Sequence, residues 1–169
     1  MAPALFVISV VMSLVGSAVL AKLFVWPWLR KMNRDRALMV LVAPHMFFRV
    51  IGLSFLVPGV VAEPLPTAFA APAAYGDLVA GILAIIAVVL LAKRTAGATA
   101  AVWLFNIWGA CDLLFAMFQG PHVRLQPGAL GAAFFIPTAI VPPMLVSHFL
   151  VFRLLLAGAR PASARQVTG

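Results

Sequence analysis

Five polar side chains stand inside stretches that are otherwise oily: His45, Arg49, Asn106, Asp112 and His148. Arg49 falls in the middle of Ala37 to Val61, a stretch that as a helix would reach roughly 37 Å and exceed the roughly 30 Å of bilayer hydrocarbon. An arginine at that depth costs at least about 2.5–3.5 kcal/mol on insertion scales, so it should face protein and have a partner. Asp112 is the acid placed to provide one. Counted from Ala37 and Ala98, Arg49 and Asp112 stand about 18 and 21 Å up their helices, level with each other. The sequence therefore predicts an interhelical Arg49–Asp112 salt bridge, which either fixes helix register or serves a site.

A second polar layer is expected nearer the basic ends of the segments. His45 and Asn106 each lie about 12 Å up their helices, and His148 about 7 Å above Arg153. His45 and Arg49 are four residues apart and share a helix face. Asn106 and Asp112, six apart, point about 120° away from each other and cannot both face one partner squarely. Pro44, Pro137, Pro142 and Pro143 interrupt the same region, and each carbonyl they release must be met by protein or by a wet cavity. These features predict a proline-lined pocket between the second, fourth and fifth segments, where the five polar groups orient a head group. In that picture His45 and His148 line one cavity open to the cytoplasmic side.

The same residues bound the chemistry. Two histidines on different helices could hold a b-type haem, which needs axial imidazoles and an apolar slot. Zinc needs a third ligand at the same level, and Cys111 lies in the opposite half, so no metal site is expected. A retinal pigment needs a buried lysine, but Lys22, Lys31 and Lys93 all stand near helix ends. Ser147 and His148 are adjacent, hence about 100° apart on a helix, which does not make a Ser-His pair. Phe47, Phe48, Trp103, Phe105 and Trp108 either line an apolar pocket or pack helices. The leading reading is a membrane protein that binds a small amphiphilic molecule of the lipid, isoprenoid or quinone type. The alternatives are a haem-binding or lipid-modifying enzyme with His45 and His148 in its site, and a small proton-coupled transporter gated by Arg49–Asp112.

The elements that must position these residues follow from composition. A 169-residue chain that is 64% hydrophobic and 9% charged, with mean hydropathy +1.12, has more apolar surface than a soluble domain of this size can bury. It reads as an all-α integral membrane protein, a single domain with a five-transmembrane-helix bundle. The spans fall at about 4–29, 37–61, 77–92, 98–118 and 128–156, followed by a short polar tail, 157–169. The net charge of +8 does not indicate nucleic acid, because the basic residues sit between oily segments rather than on one soluble face. Cys111 is the only cysteine, so neither an intrachain disulfide nor a CxxC centre can form.

Details of the segments add further expectations. The first lacks a basic n-region and reads as a retained helix, ending at Trp26-Pro27-Trp28. Ser13, Ser17 and Ala21 form a small-residue row suited to close helix packing, within the chain or in a homo-oligomer. Glu63 to Pro72 reads as a stiff, apolar connection, and Asp77 as the N-cap of the third helix. Of the twelve lysines and arginines, Arg124 lies near one face and Arg49 within the membrane, and all the others gather at the opposite face. The positive-inside rule then puts the N-terminus outside and the C-terminus in the cytoplasm. No internal repeat supports an inverted-repeat transporter. The abundance of Ala, Arg, Pro and Gly suggests a high-GC bacterium, and so a cell (cytoplasmic) membrane.

Overall fold

The computed structural model describes residues 2–158; Arg160 and Arg165, read above as part of a polar tail, lie outside the described residues. The fold is all-α. Among the described residues five helices are long and apolar enough to cross a membrane: α1 (Pro3–Leu29), α2 (Arg34–Leu56), α3 (Thr67–Ala92), α4 (Ala98–His122) and α5 (Ile136–Ala157). Their buried apolar residues form two clusters. Leu29, Leu38, Leu91, Val102 and Leu155 belong to one, at the end of the bundle where the basic loops lie. Phe55, Phe69, Leu113, Leu130 and Ile136 belong to the other, at the far end. The polar residues of α2 to α5 stand between the two.

Helices surrounded by lipid gain little from hiding oily side chains, so close approach through small residues is what holds them together. α3 supplies that surface. Its buried face runs through Ala70, Ala73, Ala74, Ala80, Gly81, Ala84 and Ala87, at the spacing of three and four that keeps one side of a helix turned to a neighbour. Asp77 falls in phase with this seam and is buried with it. By contrast α1 is peripheral. Only 6% of its apolar window is buried, against 39% for α2, α3 and α5, so most of α1 is left to face lipid.

The elements depart from the sequence reading at the prolines. α3 begins at Thr67 instead of near residue 77, which takes in much of the stretch read as a connection and leaves Asp77 well inside the helix instead of at its N-cap. Pro72 lacks the N–H that would bond the Ala68 carbonyl, and Gln119 Nε2 on α4 donates to that carbonyl at 3.2 Å. With the vacancy filled from outside, the helix continues. α4 extends to His122, past the expected 118. α2 breaks at Ala43-Pro44, resumes over His45–Phe48 and tightens into a 3-10 helix over Val50–Leu56. Ser147 Oγ on α5 donates to the Leu41 carbonyl at this break, at 2.9 Å.

The fifth segment is not one helix from residue 128. A 3-10 stretch, Pro127–Phe134, precedes a π-turn, Ile136–Ile140, before the regular helix Val141–Gly158. The turn inside this stretch is at Gly131, with φ 54° and ψ −131°. Here the chain lies against the loop after α2: Ala62 N donates to Ala129 O at 3.0 Å, and Ala132 N to Val60 O at 2.8 Å. A Cβ at position 131 would stand 2.6 Å from Val60 O and 2.7 Å from Ala62 N.

Gly131→Ala is therefore expected to lose about 1–3 kcal/mol from backbone strain, and more from the clash. Gly16→Ala, on the open face of α1 with nothing within 4 Å, should not lower stability and should add up to about 1 kcal/mol of helix propensity. Thermal unfolding of the two variants in detergent checks this, and equal midpoints would contradict it.

Candidate functional site

Arg49 organises the polar layer. It leaves α2 just before the helix tightens, and it is only 1% exposed. A guanidinium carries five N–H bonds in a fixed plane and accepts none, so a buried arginine needs five acceptors around it. All five are present. Nη1 donates to Asp77 Oδ1 at 2.6 Å and to Asp112 Oδ2 at 2.9 Å. Nη2 donates to the Gly109 carbonyl at 2.5 Å and to His148 Nε2 at 2.8 Å, and Nε points to His45 Nδ1 at 3.4 Å. The predicted Arg49–Asp112 bridge forms, and Asp77 adds a second ion pair to the same nitrogen.

Because Arg49 can only donate, it settles which nitrogen of each imidazole holds a proton. His148 accepts at Nε2, so its Nδ1–H donates to Asn106 Oδ1 at 2.7 Å. Asn106 Nδ2 in turn donates to the His148 carbonyl at 3.2 Å, which fixes the amide orientation. His45 accepts at Nδ1, so its Nε2–H donates to Ser147 Oγ at 3.2 Å, and that hydroxyl donates in turn to Leu41 O. No buried side-chain nitrogen or oxygen among the described residues lacks a partner. An arrangement so fully satisfied is rigid, since moving one member strands another in a medium of low polarity.

Three glycines make room for it. A Cβ on Gly109 would stand 2.7 Å from His148 Cε1 and 2.8 Å from Arg49 Nη2. Side chains at Gly52 and Gly76 would run into the carboxylates of Asp77 and Asp112 respectively. The 3-10 tightening of α2 thus presents Gly52 to α3, and each acid is seated over a bare backbone.

The two expected layers are one cluster. His45, Arg49, Asn106, Asp112 and His148 all join it, with the His45 and His148 ring centroids 4.5 Å apart and Phe105 packed on both. Asn106 and Asp112 meet different partners, as their angular separation requires. Asp77 is the member missed by the sequence reading, which placed it at a helix end. Its phase within the small-residue seam of α3 was the available signal. A haem does not fit between these histidines: their rings are already in contact, and both nitrogens of each are engaged. Among the described residues no group of three His, Cys, Asp or Glu is placed to hold a metal ion.

Toward the far end the cluster meets a cavity of about 190 Å³, walled by Phe6, Phe55, Phe69 and Leu130 among others. The only charged residues in its wall are Asp77 and Asp112. The cavity draws on α1 and α3 as well as the second, fourth and fifth segments expected. The expectation that His45 and His148 line one cavity open on the basic side is corrected: both are sealed by Arg49, Phe105, Asn106 and Ser147, and neither reaches this wall. On the basic side Ser147, bonded to His45, lines a separate groove with Pro44 and Pro143.

Arg49→Ala should destabilise the protein by about 3–5 kcal/mol, because it leaves two buried carboxylates unpaired. Arg49→Lys should not restore it, since three donors cannot reach five acceptors arranged for a planar fork. Double-mutant cycles of Arg49 with Asp77→Ala and with Asp112→Ala should each show coupling above about 1 kcal/mol. Additive losses in either cycle would remove that acid from the centre.

No curated protein and no solved structure matches the chain. A family model does match it over residues 5–156, from the first helix to the last. The chain is a multi-pass membrane protein and belongs to the family described as Domain of unknown function (DUF8737).

Proposed function

We propose that this protein binds a small amphiphilic molecule, with its apolar body in the cavity of the far half and its head group on Asp77 and Asp112. The observation that carries this reading is the cavity wall, which is apolar except for two carboxylates that share one guanidinium. Between them the two carboxylates have more acceptor positions than the two N–H bonds of Arg49 Nη1 fill. The head group that suits them is a donor, such as a hydroxyl or an amine. Of the lipid, isoprenoid and quinone classes, an alcohol or a quinol matches this demand, whereas a quinone, with carbonyl acceptors only, does not. In this reading Arg49, His148, Asn106 and His45 hold the two acids in place and do not touch the ligand. The position of α1 on the cavity wall, loosely packed on the rest, gives a long apolar chain a route to the lipid.

The orientation belongs to the same proposal. The ends of α1 and α3, the start of α2 and the end of α5 carry the basic residues, so the positive-inside rule puts this end in the cytoplasm and the cavity in the outer half of a cell membrane.

Two measurements test these statements. Mass spectrometry of protein purified in mild detergent should find a bound hydroxyl- or amine-bearing amphiphile. Its amount should fall about tenfold in Asp112→Asn, where the isosteric amide still accepts from Arg49 but sets an N–H donor where the carboxyl offered the ligand an acceptor. Ala116→Phe, which fills the cavity and leaves the polar cluster alone, should also empty the site without loss of thermal stability; retention of ligand in this variant would refute the cavity. For orientation, single cysteines at exposed positions 68 and 33 in a Cys111→Ser background should react with an impermeant reagent from outside at 68 only. The opposite labelling pattern would reverse the topology.

A further inference from the structure

A second groove, between α1 and α5 in the basic half, is independent of the cavity described above. Its volume is about 410 Å³, and its walls are Leu14, Ala18, Leu145 and Phe149 with Lys22, Trp26 and Arg153 at one end. We infer that this groove seats an anionic phospholipid, with an acyl chain along the apolar walls and the phosphate between Lys22 and Arg153.

Three observations combine here. The groove faces outward: Phe149 is 64% and Leu14 41% exposed, so in a membrane these walls meet lipid tails. Its charged end has two cations and no acid. The two ion pairs formed among the described residues both belong to Arg49, and neither Lys22 nor Arg153 shares in them. Finally, Arg153 is held. Its guanidinium carbon stands 4.0 Å over the ring of Trp26, so the indole fixes the side chain at the level where tryptophans favour the head-group region. Lys22 lies one turn before Trp26, in the π-turn Ala21–Val25, and its long stem can follow the groove wall to the same level.

This chemistry selects net charge in the lipid. Arginine matches a phosphate through paired N–H bonds, and lysine adds a second positive charge. A phosphatidylcholine brings its own ammonium and leaves the two protein cations uncompensated, whereas a phosphatidylglycerol offsets one of them outright. Basic residues near an anionic surface contribute about 1 kcal/mol each, about fivefold in binding per residue. The pair should therefore prefer the anionic lipid by on the order of tenfold.

The test places the full chain in nanodiscs of equal phosphatidylglycerol and phosphatidylcholine, extracts it gently, and counts retained lipids by native mass spectrometry. The wild-type protein should retain phosphatidylglycerol over phosphatidylcholine by on the order of tenfold, and Lys22→Gln with Arg153→Gln should bring the ratio to within about twofold of one. Arg30→Gln with Lys31→Gln, which removes the same charge from the adjacent loop, should keep the preference. Ala18→Trp, which fills the groove and leaves both cations in place, should lose phosphatidylglycerol retention and so tests the site even if the charge variant folds poorly. The inference is overturned if the wild-type shows no preference, if the charge variant or Ala18→Trp retains it, or if the loop variant loses it as fully, which would mean diffuse attraction to a basic face.

Discussion

The five N–H bonds of Arg49 are the constraint around which this bundle is built. A guanidinium cannot shed its charge within a bilayer, and each unmet N–H would add to a cost already high for the ion itself. Meeting all five at once needs acceptors from α2, α3, α4 and α5 within one small volume. Helix positions follow from that demand. α4 must come close enough to offer the Gly109 carbonyl, α3 must turn its small-residue seam inward to bring Asp77 forward, and α5 must place an imidazole lone pair opposite Nη2.

The arrangement is directional. Both carboxylates lie on the side of the cavity, and both imidazoles lie together, packed on Phe105. Arg49 separates the two sets and, being unable to lose a proton, blocks simple proton transfer from the histidines to the acids. The same asymmetry gives the cavity wall an excess of acceptors, the feature on which the proposed donor head group rests. Glycines at 52, 76 and 109 add specificity, since any side chain there would displace a member of the cluster.

The prolines act through the partners of the carbonyls they disturb. Ala68 is capped by Gln119 and Leu41 by Ser147, in each case from another helix, while Thr138 bonds the Phe134 carbonyl one turn back. Irregular backbone is thus satisfied within the protein, as an apolar surrounding requires. The broken course of α2 has a positive use too: the break at Pro44 and the 3-10 tightening from Val50 set His45, Arg49 and Gly52 at angles that a regular helix would not give.

Much of this was legible in the chain. Composition and segment length identified a membrane protein with five apolar helices, because bilayer thickness and the need to pair backbone groups leave few other solutions. A single deep arginine implied a buried acid, and equal depth along two helices pointed to Asp112. Only the tertiary structure decided that Asp77 joins them. Its partners lie on other helices, and the proline-rich approach to α3 reads as a connection until Gln119 is seen to mend the gap left by Pro72. The merger of the two polar layers into one centre was likewise invisible, because rise along a helix measures depth but not the reach of a long side chain or the tilt of its helix. Which residues of the centre face a cavity depends on how α1 and the 3-10 segment close over the far half, and that is set by packing between residues distant in sequence.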